Sequence, residues 1–321
     1  MSQQADTITD VEFADLTEPF RRELLAHCYR MLGSVDDAED MVQETYLRAW
    51  RSYGGFERRS SVRTWLYQIA TNTCLTARQH RTRRALPSGL GGPGEDHESG
   101  SELGWLQPIP DALVTGEADD PAVIAVTRDS LRLALIASFQ YLPPRQRAVL
   151  LLREVLAFPA EDVARMLGTT TVAVKSALQR ARTRLSDVAP AGRQLAEPSE
   201  PAARALLEAY IAAFEHADAA ALERLLRRDA VLELPPSSVW FTGGDAIATA
   251  VAGLGSPGEW RMVPTAANGQ PAAAAYQRDA DGIYRAFGIV VLTAATTGIA
   301  RIVVFGDPGL LGRFGLPPTW R

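Results

Sequence analysis

Residues 159–185 read PAEDVARMLGTTTVAVKSALQRARTRL, two short amphipathic segments separated by a glycine and three threonines. In the first segment Val163, Ala164 and Leu167 share one helical face. Gly168 permits the positive φ of a helix C-cap, and Thr169, Thr170 and Thr171 offer a hydroxyl N-cap to a second helix. Along that second helix Val174, Leu178, Ala181 and Leu185 recur at spacings of four and three, so Lys175, Ser176, Gln179 and Arg182 fall on the opposite face, beside Arg180 and Arg184. A helix-turn-helix of this kind can lay its second helix in the major groove of duplex DNA. A solvated face on an ordinary helical hairpin obeys the same spacing, so this stretch alone leaves both readings open.

The chain has 321 residues and is 46% hydrophobic, enough for two or three domains with their own cores. A net charge of -5 and an isoelectric point near 5.5 exclude a uniformly basic nucleic-acid binder, but the charge is strongly segregated. Residues 1–44 hold eleven acidic and three basic side chains, and 45–85 hold one and nine. Residues 86–129 hold nine and one, and 130–186 hold three and nine. Two basic islands therefore flank an acidic stretch. Lys175 is the single lysine, a bias that reads as codon usage in a GC-rich genome, so each arginine by itself says little. Cys28 and Cys74 are too few for a zinc framework, and no cofactor is expected. Neither a signal peptide nor a run of about 18 apolar residues is present, so the expectation is a cytoplasmic protein with no membrane partner.

Apolar periodicity predicts helices near 16–33, 35–53 and 60–80. In the third, Val62, Leu66, Ile69, Thr73 and Ala77 form an inward stripe that leaves Ser61, Trp65, Gln68 and Asn72 facing elsewhere. Residues 87–120 are rich in Pro, Gly, Ser and acid and read as a linker, with Trp105, Leu106, Ile109 and Leu113 as its apolar exception. A second helical block covers 121–187 and a second linker 188–201. Two helices are expected within 202–228, followed over 229–305 by short alternating strands broken by Gly, Asn or Asp turns. The expected fold class is multidomain: two all-α domains, then a C-terminal α+β cone with helices packed on a curved antiparallel sheet.

Three segments, taken in order, resemble the bacterial sigma-70 family of initiation factors, in its extracytoplasmic-function (group IV) branch. They are DDAEDMVQETYLRAW at 36–50, FERRSSVRTWLYQIATNTCLTARQHRTRR at 56–84, and LPPRQRAVLLLREVL running into the helix-turn-helix at 142–185. The resemblance implies that the first docks on the clamp coiled coil of core RNA polymerase, the second melts and reads the minus-ten element, and the third reads the minus-35 element near the polymerase flap. It divides the chain into region 2 at 10–85, an acidic linker at 86–127, region 4 at 128–187, a second linker at 188–201 and a C-terminal domain at 202–321.

The residue chemistry is compatible with these roles. Asp36, Asp37, Glu39, Asp40, Gln43, Glu44 and Arg48 make a mixed, mostly acidic helix that would repel phosphate and suit a protein partner. Arg58, Arg59, Arg63, Arg78, Arg81 and Arg83, with Trp65, Gln68 and Asn72, supply the cationic, stacking and hydrogen-bonding groups that single-stranded DNA requires. Trp65 also fits a half-buried packing role, and Tyr46 and Trp50 are expected in the core. In the helix-turn-helix the DNA set is Thr171, Lys175, Ser176, Gln179, Arg180 and Arg182. The family's usual Thr before Val-Lys-Ser and Arg after it are here Ala173 and Ala177, which thins the base readout and leaves phosphate contacts. The acidic linker is compatible with a solvated tether and with a strand that threads the polymerase's channels as related linkers do. WLQPIPDAL at 105–113 is its piece suited to a specific contact.

The C-terminal third, with VWFTGGDAIATAVAG at 239–253 between two helices and a run of strands, resembles a SnoaL-like domain of the NTF2-like superfamily. Such cones enclose an apolar pocket, for which Glu233, Asp245 and Asn268 are the candidate polar residues, while His216 sits at a helix end. The leading expectation is a non-enzymatic sigma factor that directs promoter-specific initiation and is modulated by this fused domain, with a small-molecule ligand or an anti-sigma protein as further partners. The alternatives are a helix-turn-helix regulator acting without polymerase and a SnoaL-type enzyme carrying a DNA-binding appendage. The acidic helix followed by the basic segment favours the first over a duplex-only regulator.

Overall fold

The computed structural model describes residues 10–56, 60–78, 84–94, 104–116, 120–188, 198–253 and 255–320. It forms two compact units. One takes the described residues up to Arg84 together with those from Leu113 to 188; the other takes the described residues within 85–112 and from 198 onward.

The first unit is helical. Helices α1 (Asp10–Thr17), α2 (Arg21–Leu32), α3 (Val35–Ser52) and α4 (Val62–Arg78) come first. The tight α2–α3 connection rests on Gly33, whose φ of 73° closes α2 by an N–H···O bond of 2.7 Å to Tyr29, and on the Ser34 hydroxyl, which accepts from the Asp37 N–H at 3.2 Å. On α4 the buried set is Leu66, Tyr67, Ala70, Thr71, Thr73 and Cys74, with Val62, Ile69 and Ala77 only half-buried. The stripe is displaced from the one read in sequence because α4 is covered by α2 and α3 and also by residues far along the chain.

Those distant residues belong to α7 (Pro144–Leu150) and α8 (Ala160–Met166), which lie in this unit with α5 (Pro121–Leu131), α6 (Leu133–Phe139) and α9 (Thr171–Val188); between α4 and α5 the chain forms the short strands β1 (Arg84–Ala85) and β2 (Gly104–Trp105). Helix α7 runs into a π-helical turn at Leu151–Val155. The edge of Tyr67 meets Phe158 with ring centroids 5.3 Å apart, Asn72 Nδ2 donates to the Met166 carbonyl at 3.1 Å, and Arg30 donates to Ser130 Oγ at 2.6 Å. Arg147 is fully buried. It donates to the Met31 carbonyl at the end of α2, to Gln140 Oε1 at 2.9 Å and to the Leu142 carbonyl at 3.2 Å. The two helical domains separated in the sequence reading are thus packed as one unit, because a desolvated guanidinium and its acceptors hold them together.

The second unit contains α10 (Glu200–Glu215), α11 (Ala219–Leu225), β3 (Leu226–Glu233), β4 (Trp240–Thr242), α12 (Gly244–Ala252), β5 (Trp260–Ala267), β6 (Gln270–Arg278), β7 (Tyr284–Ala295), β8 (Gly298–Phe305) and β9 (Thr319–Trp320). The sheet order is β4-β3-β8-β7-β6-β5, with β9 added to β7; β3 and β8 are parallel and the remaining pairs antiparallel. Helices α10 to α12 cover one face, the α+β cone expected for this part of the chain. The β5–β6 hairpin turns through Asn268 (φ 58°) and Gly269 (φ 66°), the pair that a two-residue turn with two positive φ angles selects.

The stretch read as a free linker is not a tether over its described length. Leu106 and Ile109 are buried, Pro110 bridges to Ala267, Ile109 exchanges hydrogen bonds with Asn268, and Asp111 Oδ1 accepts from the Gly269 N–H at 2.7 Å. Residues 85–94 and 104–112 therefore pack on the C-terminal sheet, while α5 begins inside the range expected to be linker. No described helix is long and apolar enough to cross a membrane.

Two predictions concern stability. Arg147→Met, which withdraws one charged donor from three buried acceptors, should lower the unfolding free energy by about 3 kcal/mol in a denaturant titration. His27 is buried with Nε2 2.9 Å from Thr71 Oγ1, and burial, followed by the charges of Arg30 and Arg63, lowers its pKa to about 3. It is neutral when folded and binds a proton below about pH 6.5 when unfolded, so its contribution is lost as pH falls from 6.5 toward 3. Acidification from pH 7 to 5 should cost about 2 kcal/mol through this group, and His27→Gln should flatten that part of the stability profile.

Candidate nucleic-acid interface and protein-docking face

Helix α3 presents a protein-docking candidate. Asp40, Gln43 and Arg48 are exposed, Asp36 and Glu39 half-buried, and Arg48 pairs with Glu44 one turn earlier at 2.6 Å. Asp37 is a correction to the sequence reading: it is buried and held by Arg84 at 2.6 Å, so it serves the fold rather than a partner. Tyr46 and Trp50, expected in the core, lie at its edge. With Phe13, Gln43 and Leu47 they line a surface groove of about 490 Å³, and Leu47 and Trp50 are 51% and 37% exposed. The apolar half of this face escaped the sequence reading because leucine and tryptophan in an amphipathic helix default to the inside.

Along α4 the candidate DNA residues have unequal freedom. Arg63 grips the Glu23 carboxylate with Nε at 2.9 and 3.2 Å, and its guanidinium lies 4.9 Å from the Tyr67 ring centre and 5.0 Å from that of Phe158. It is a packed cation, not a free phosphate ligand. Trp65 is half-buried, stacked on Phe56 at 4.5 Å and edge-on to Tyr53 at 6.2 Å. Gln68 and Asn72 are exposed, although Asn72 also bonds to the Met166 carbonyl. Arg58, Arg59, Arg81 and Arg83 lie outside the described residues, as does the side chain of Arg78.

The helix-turn-helix forms as read. Gly168 turns with φ 58°, Thr170 Oγ1 caps α9 by accepting from the Ala173 N–H at 3.2 Å, and Val163, Ala164, Leu167, Val174 and Ala181 are buried. Lys175, Ser176, Gln179 and Arg180 are exposed and Thr171 is half-buried. Arg182 reaches back to Glu154 at 2.5 Å, an exposed pair that costs little to open. Val172, 72% exposed in the first turn of α9, was missed; an apolar group there suits a thymine methyl.

In the C-terminal unit α10, α12 and the concave sheet face enclose a cavity of about 1040 Å³ lined by Tyr210, Phe214, Phe241, Trp260, Met262 and Phe287, among others. Of the three polar candidates only Asp245 lines it, as an exposed residue of α12's first turn. Glu233 and Asn268 are corrections. Strand alternation turns Leu232 and Ile302 into the cavity and their neighbours Glu233 and Arg301 to the opposite face. There Glu233, fully buried, pairs with Arg301 and accepts from the Ser88 N–H at 2.9 Å. Asn268 serves the hairpin turn and binds Ile109. His216 closes α10 with Nδ1 2.7 Å from the Ala212 carbonyl. Cys28 and Cys74 are free and buried, and their mutual hydrogen bond together with burial raises the Cys74 thiol well above its usual range, which leaves it unreactive.

Residues 16–84 match Sigma-70 region 2 and residues 132–185 match Sigma-70, region 4, which in this order define a sigma-70-type architecture. The chain is 50% identical over 317 residues to the ECF RNA polymerase sigma factor SigG of Mycobacterium tuberculosis (strain ATCC 25618 / H37Rv), a match covering 96% of this chain and 85% of SigG. It is 26% identical over 295 residues to the probable ECF RNA polymerase sigma factor SigI of the same strain, covering 91% and 92%. The crystal structure of the Mycobacterium tuberculosis extracytoplasmic function sigma factor SigJ shares the fold, with a TM-score of 0.62 at 24% identity over 95% of this chain and 99% of that one. The chain belongs to the ECF RNA polymerase sigma factors.

If Lys175 and Arg180 each contact one phosphate, Lys175→Ala and Arg180→Ala should each reduce the slope of log affinity against log salt by about 0.9. Fluorescence anisotropy on promoter duplex measures this, and an unchanged slope removes the residue from the interface.

Proposed function

We propose that this sigma factor docks on core RNA polymerase through the α3 face, reads melted promoter DNA with α4 and the loop before it, and reads upstream duplex with α9. The observation that carries this is the separation of chemistries within one helical unit. An exposed apolar groove with Leu47 and Trp50 sits beside acidic groups on α3, whereas α9 exposes Lys175, Gln179 and Arg180 and carries no acidic residue of its own before Asp187, with Glu154 paired to Arg182. Apolar area bordered by acid suits a protein surface, and a cationic helix with hydroxyl and amide groups suits a duplex groove. The contacts of Arg63 and Asn72 with the second helical segment must open for α4 to receive a DNA strand.

The C-terminal unit acts as a regulator without catalysis of its own in this reading. It holds the segment that joins the two sigma regions, through Glu233, Arg301, Asn268 and Asp111, and among the described lining of its cavity the buried ionisable group is Tyr210, whose phenol burial raises and keeps protonated.

Run-off transcription with core polymerase tests both parts. The full chain should give a promoter-dependent transcript, and its absence would sink the initiation reading. Leu47→Glu should lower co-purification with polymerase by about tenfold while sparing duplex binding. Glu233→Gln should raise transcript yield by about fivefold at equal polymerase affinity, because the joining segment is released; an unchanged yield would refute the regulatory role.

A further inference from the structure

The cavity of the C-terminal unit has a polar feature that its packing leaves unexplained. Tyr210 is 2% exposed and lines the cavity, yet its hydroxyl makes no hydrogen bond to any described residue; its one ring partner is Phe214, at 5.9 Å. Burial raises the phenol above its usual range, so it stays protonated and able to donate. With no partner among the described residues, the hydroxyl is available to donate to an acceptor that enters the cavity.

The walls define the rest of that acceptor's molecule. Trp260 meets Phe214 and Phe287 edge-on, with ring centroids 5.7 and 5.0 Å apart, which leaves aromatic surface for stacking. Among the described residues no basic side chain lines the space, and Asp245 at its exposed edge disfavours an anion. A charged ligand would be desolvated with no counter-charge. At about 1040 Å³ the volume accommodates a drug-sized molecule of about 20–30 non-hydrogen atoms.

We infer that this cavity is a binding site, not a catalytic one, for a neutral, largely apolar small molecule carrying a carbonyl or equivalent acceptor that Tyr210 engages. Strands β3 and β8 supply Leu232 and Ile302 to the cavity and Glu233 and Arg301 to the face that holds Ser88, so an occupant bears on the strands that retain the joining segment. That last consequence rests on the regulatory reading above, but binding itself does not.

The test uses the full chain and 6-propionyl-2-dimethylaminonaphthalene, a neutral apolar ketone whose emission shifts to the blue on leaving water. Saturable binding of one probe per chain is expected. Ala250→Phe and, separately, Ala246→Phe fill the cavity from α12 and should weaken binding at least about tenfold, with the far-ultraviolet circular dichroism unchanged. Tyr210→Phe should weaken it by about tenfold, the worth of one hydrogen bond, and leave unchanged the binding of N-phenyl-1-naphthylamine, which has no carbonyl. Absence of saturable binding to the wild-type chain, equal affinity in both filled variants, or an unchanged ketone affinity in Tyr210→Phe would overturn the inference. Because transcription is not the readout, failure of the regulatory role and failure of the site are told apart.

Discussion

The guanidinium of Arg147 is the fixed point of the helical unit. The last carbonyls of α2 have no donors within their own helix and carry the negative end of its dipole, so a cation brought to Met31 meets both a hydrogen-bonding and an electrostatic need. Burial makes the arrangement all-or-none. Once the charge has left water, the Met31 and Leu142 carbonyls and Gln140 must all be in place, which fixes α7 against α2. Helix α9 packs on α7 and α8 on α9, so both inherit that register, and the contacts of Phe158 with Tyr67 and of Met166 with Asn72 follow from it.

This register treats the two DNA-facing helices differently. The polar face of α9 is solvated along Lys175, Ser176, Gln179 and Arg180, whereas α4 has Arg63 committed to Glu23 and two aromatic rings and Asn72 bonded to the neighbouring segment. The same residue types therefore carry different availability. A cation held by a carboxylate and two ring faces must give up those contacts before it can meet a phosphate, whereas Lys175 is exposed and has no such contact among the described residues.

The C-terminal sheet divides its chemistry by strand alternation. One face is apolar and encloses the cavity, and the other carries Glu233, Arg301 and the Asn268 turn that hold residues 85–94 and 104–112. A carboxylate buried on that outer side needs both a cation and an N–H donor, and the donor comes from Ser88, more than a hundred residues earlier. Composition conceals such a contact. An acidic, Gly- and Pro-rich stretch reads as solvated because its few apolar groups are too dispersed for a core of their own, but Leu106 and Ile109 complete a core belonging to another part of the chain.

Local chemistry was enough to define the helix-turn-helix, the hairpin and helix caps, the charge alternation and the order of helical and strand-rich segments. Spacing, glycine conformation and capping act within a few residues, so Gly168, Thr170 and the Val174–Ala181 stripe were legible directly. Tertiary structure alone decided that Asp37 and Glu233 are structural ion pairs, that Arg63 is packed, that Trp50 faces outward and that the linker is docked. In each case the role depends on a partner some thirty to a hundred and fifty residues away, or on its absence. Desolvation and pairing are set by that partner, and no local pattern carries its position.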